Sequence, residues 1–89
     1  MFKTEKYTVD TPIITIVSTE GAQRLINARA ITYVSGGEEK TTWRGKVQNV
    51  ENVVDVELFN GKVKKFYFPD PEQAEAFLRA VSVAVMSVR

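Results

Sequence analysis

An α+β fold follows from three observations. Residues 53–68 alternate apolar and polar around an Asn60-Gly61 break, residues 69–73 form a strong helix start, and one long apolar stripe runs on from there. Strands come first and the single helix comes last, joined by short turns. That order predicts an antiparallel sheet of about five or six strands with one C-terminal helix packed on it. The chain has no internal repeat, linker or low-complexity tract, so residues 1–89 read as one domain.

Residues 1–10 are polar apart from Phe2, Tyr7 and Val9, which suits an edge strand or an ordered arm. Thr11-Pro12 ends that stretch, because proline pushes the residue before it towards extended geometry. Ile13-Ile14-Thr15-Ile16-Val17 is β-branched and apolar on both faces, the mark of a well-buried strand. Glu20-Gly21 is a turn. Residues 23–27 read as a short strand and residues 27–30 as a turn. A helix over 22–30 is the rival, since its residues are good helix formers, but it lacks a cap and a stop.

Ile31-Thr32-Tyr33-Val34 is a strand, ended in this reading by a Ser35-Gly36-Gly37-Glu38-Glu39 turn. Residues 41–48 then alternate as one strand. Thr41, Trp43, Gly45 and Val47 face one way; Thr42, Arg44, Lys46 and Gln48 face the other. Gly45 inside it suggests a bend or bulge, and residues 48–52 read as a loop.

The following strand puts Val54, Val56 and Leu58 on one face and Asp55 and Glu57 on the other. Asn60-Gly61 supplies the positive φ a hairpin turn needs. A two-residue loop would set Val54 and Val56 on the face of Lys65 and Tyr67. A three-residue loop with Gly61 as a bulge sets them beside Phe66 and Phe68 instead. The second register is preferred, because a one-residue slip flips the whole apolar set.

The helix is read over residues 70–88, with Asp70 as N-cap, Pro71 at the first position and Gln73 closing a capping box. Glu72 and Glu75 sit where the helix dipole favours negative charge. Ala74, Phe77, Leu78, Val81, Val85 and Val88 share one stripe, which must cover the hairpin's apolar face.

These elements permit a comparison. Ile26-Asn27 at a strand start, Asn60-Gly61 between two strands, and Ala74 with Phe77-Leu78 in a final helix resemble small bacterial and phage domains of the pleckstrin-homology-like type. The likeness covers roughly the last two-thirds of the chain, and the chain is short for a seven-strand version. The resemblance implies a binding scaffold and carries over no functional residue.

Composition narrows the function classes. Twelve basic and eleven acidic residues give a net charge of +1, which argues against a dedicated polyanion binder. With no cysteine or histidine, disulfides, Cys/His zinc sites and the usual nucleophile–base pairs are missing. Asp55 and Glu57 share a strand face, but the flanking lysines, Lys62, Lys64 and Lys65, point to cross-strand charge pairing on a solvated face rather than carboxylate catalysis. Glu38-Glu39 beside Gly36-Gly37 offers too few oxygen ligands for a cation. The Ser35-Gly36-Gly37 stretch lacks phosphate-loop spacing. No catalytic, metal or cofactor residue is therefore assigned. Nothing suggests a signal peptide or a membrane span, so a cytoplasmic protein without membrane contact is expected.

Two surfaces remain. Arg44, Lys46 and Lys40 near Trp43 suit single-stranded nucleic acid, although alternation over 41–48 turns Trp43 away from Arg44 and Lys46, and a lone tryptophan usually joins the core. Beyond Arg79 the helix is apolar nearly all round, with Ser82, Val83, Met86 and Ser87 opposite the core stripe. A helix apolar on every side must be buried on every side. Either the N-terminal segment covers it or another molecule does. The sequence thus favours a non-enzymatic protein-interaction or assembly module, homo-oligomeric through Val83, Met86, Ser82 and Ser87 or bound to another protein. Single-stranded nucleic acid binding is the alternative.

Overall fold

A computed structural model describes residues 1–89. Its six strands and one α-helix form two antiparallel three-stranded sheets rather than one sheet of five or six. The first sheet holds β1 (Thr4–Asp10), β2 (Ile13–Ser18) and β3 (Gln23–Asn27) in sequence order. A single 3₁₀ turn, Ala28–Ala30, leads to the second sheet, built from β4 (Ile31–Trp43), β5 (Lys46–Leu58) and β6 (Val63–Phe68). Helix α1 (Pro71–Ser87) follows. The sheets meet where Lys3 bridges Tyr67 and the Tyr67 N–H donates to the Phe2 carbonyl at 2.9 Å. A short chain cannot bury a wide flat sheet, and folding the strands into two layers lets both inner faces share one core.

That core joins Ile14, Ile16 and Ile26 of the first sheet to Val54, Val56, Phe66 and Phe68 of the second. Ala74, Phe77, Val81, Ala84 and Val85 of α1 close it. Phe77 is at its centre, fully buried, with the rings of Tyr7, Phe68 and Phe66 at 4.9, 5.0 and 5.6 Å. Tyr7 belongs to β1, so the N-terminal segment is an edge strand that also touches the helix.

The β5–β6 hairpin adopts the three-residue loop. Phe59, Asn60 and Gly61 form it, Gly61 has φ +85°, and Val54 pairs with Phe66 and Asn52 with Phe68. Asn60 Oδ1 accepts from the Lys62 N–H, an Asx turn that holds the bend. The helix start also follows the sequence. Asp70 accepts from the Gln73 N–H at 2.8 Å, although the Gln73 side chain donates to Asp70's other carboxylate oxygen instead of closing on the cap's backbone. Gly36 packs under the helix, and a Cβ there would lie 3.3 Å from Leu78 Cδ2, so the leucine methyl would have to shift by a few tenths of an ångström.

One region departs from the sequence reading. Residues 35–39 are not a turn and residues 48–52 are not a loop; both lie inside strands of 13 residues each. The reversal is at Arg44 and Gly45, with φ of 52° and 78°. Both central residues of a type I′ turn need positive φ, and Gly45 accepts it readily while Arg44 does so as an uncommon non-glycine case. The result is a long two-stranded arm, and the whole molecule, arm included, measures 45 × 25 × 22 Å.

Candidate nucleic-acid interface

β6 pairs with β5 only from Glu57 to Asn52. Beyond that point the β4–β5 ribbon has no third strand, and residues 40–50 are all exposed. Isolated two-stranded ribbons are marginal in water, so a bare tip of this length gives the fold nothing that a shorter hairpin would not.

The tip gathers what the sequence reading had separated. Trp43 pairs directly with Lys46 across the turn, so both project from one face of the ribbon. Arg44 in the turn places its guanidinium 5.6 Å from the Trp43 ring centroid, a cation–π contact. Trp43 is 63 % exposed and is not a core residue. Lys40 pairs with Val50, and strand alternation puts it on the opposite face from Trp43 and Lys46. Residues 40–50 contain Lys40, Arg44 and Lys46 and no carboxylate, leaving nine basic against eleven acidic residues elsewhere. The near-neutral total therefore hides a positive tip on a slightly negative body.

At the arm's base, Lys65 Nζ lies 2.6 Å from Glu39 Oε1, and the Tyr67 hydroxyl donates to Glu39 Oε2 at 2.8 Å. These contacts tie β4 to β6 across the sheet. The Lys65 hydrogen bond, helped by Tyr67, holds the Glu39 carboxyl below its ordinary value. The same carboxylate raises both Lys65 and the Tyr67 phenol. Asp55 pairs with Lys65 at 4.0 Å, as cross-strand charge pairing requires, with its Oδ1 buried and without a hydrogen-bond partner. Glu57 departs from that expectation, because it sits opposite Val63 and not a lysine.

The helix surface is the second candidate. Val83 is 62 % and Met86 75 % exposed, and β1 packs on Phe77 without covering them. Ser82 is half-buried and donates to the Leu78 carbonyl; Ser87 donates to the Val83 carbonyl. Both serines thus satisfy themselves within the helix. No helix is long and apolar enough to cross a membrane, and no group of three or more Asp or Glu side chains comes together to hold a metal ion. Set against protein-family models, curated proteins and solved structures, the chain matches none of them.

Proposed function

We propose that this protein is a non-enzymatic binding module whose working end is the tip of the β4–β5 arm, and that its partner is single-stranded nucleic acid. The observation that carries this reading is the exposed Trp43 ring with Arg44 stacked on it and Lys46 beside it. An exposed ring offers a sequence-tolerant stacking surface for a base, while the two cations and Lys40 on the far face track phosphates. A relationship to pleckstrin-homology-like domains is proposed on the same footing, supported by the order of six strands and one helix.

Fluorescence anisotropy with a short labelled oligothymidylate tests it. Three released counterions on a single strand give a log–log salt slope of about −2. Binding to anionic lipid vesicles with none to the oligonucleotide overturns the assignment, as does a slope near zero.

A second reading keeps self-association through the outer face of α1, supported by the uncovered Val83 and Met86. Two side chains are a small part of the roughly 1,200–2,000 Å² that a stable interface buries, which ranks it behind the arm. Light scattering decides it: a dimer that Val83→Glu with Met86→Glu converts to a folded monomer supports this reading, and a wild-type monomer at high micromolar concentration removes it.

A further inference from the structure

The two sheets close on each other at only one end of β6. Tyr67 is tied to Phe2 and Lys3, but towards Val63 no strand lies along the outer edge. The Leu58 N–H donates to the Lys62 carbonyl, so the even-numbered residues of β6 bond to β5. Val63 and Lys65 share the parity of Tyr67, and their backbone groups point the other way. Beside this free edge the corner between the sheets opens as a cleft of about 180 Å³. Ile26, Ala30, Leu58 and Phe66 line it, with Arg24 and Lys64 at the rim.

The molecule's ion pairs join Lys65 to Glu39 and Asp55, and Arg79 to Glu75. Arg24, Lys62 and Lys64 are left without a carboxylate. The cleft is smaller than the roughly 300 Å³ from which small-molecule sites begin, so it suits one side chain and not a whole ligand. We propose that this corner takes an extended acidic peptide, which adds as a strand to the free edge of β6 and seats one apolar side chain in the cleft. Main-chain hydrogen bonds supply affinity in this mode, and the pocket supplies selectivity. Lysines on an exposed edge blunt promiscuous pairing; Lys62 and Lys64, with Arg24 of β3 across the corner, repel basic strands and admit acidic ones. This site is separate from the arm tip and does not depend on what the arm binds.

The test is an NMR titration of the labelled full chain with a peptide alternating glutamate and valine around a central leucine. The Val63 and Lys65 amides should shift and gain protection from exchange, while the amides of residues 40–50 stay still. Lys62→Glu with Lys64→Glu, both exposed and outside the core, should weaken binding at least tenfold while the free protein's amide signals away from residues 61–66 stay in place. Equal binding of the peptide with lysine in place of glutamate overturns the proposal. So does a titration in which β6 responds to a fatty acid but not to the peptide.

Discussion

Trp43→Ala separates a tip tryptophan from a core one by magnitude. A core tryptophan buries about 150–250 Å² and costs about 3–5 kcal/mol when truncated to alanine. Here only about a third of the residue is covered, roughly 55–90 Å², which at ~25 cal/mol/Å² is at most about 2 kcal/mol. Losing the exposed contact with Arg44 falls within that figure. The variant should therefore fold, with a urea midpoint only modestly lowered. Its oligonucleotide affinity should drop by about 1–3 kcal/mol, the worth of one stacked base, or about 5- to 150-fold. Parallel urea melts and anisotropy titrations give both numbers on one preparation. Failure to fold would refute the exposed placement of Trp43. A folded variant binding as tightly as the parent would refute its role as a stacking platform.

Phe77→Ala should cost about 3–5 kcal/mol in the same melts, because the ring is fully buried among three others. Asp70→Ala should cost about 1 kcal/mol by leaving the Gln73 N–H without its acceptor, and unchanged stability would exclude it as the cap. Glu39 has its folded pKa depressed below about 4.5, so its contribution is present above that value and is lost as pH falls through the lowered pKa. Melts from pH 7 to pH 3 should show Glu39→Gln and the parent converging at the acid end, and a constant gap would contradict that assignment.

How far the sequence reached depends on the range of the interactions involved. The N-cap at Asp70, the proline after it, the apolar stripe through Phe77 and Val81, and the Asn60-Gly61 loop are all set within a few residues of one another. Each rests on local hydrogen bonding or backbone preference, and each is found where the pattern placed it. The short strands and the 3₁₀ turn of residues 23–30 follow similarly from composition and punctuation.

The arm was hidden for a physical reason. Gly36-Gly37 carries a stronger local turn signal than Arg44-Gly45, yet pairing with Val54 and Val53 holds the glycines in a strand, and Leu78 packs against Gly36. Once the reversal moves to Arg44-Gly45, Lys46 changes sides relative to Trp43, while Lys40, on the same strand as Trp43, stays on the opposite face. On one continuous strand, Trp43 and Lys46 are an odd number of residues apart and face opposite ways. Across a two-residue turn the same pair are partners on one face. The residue types at the candidate site were legible in the chain, but their convergence is a property of where the ribbon turns. That position, and the division of six strands into two sheets, depend on contacts between residues far apart in sequence, which only the folded molecule brings together.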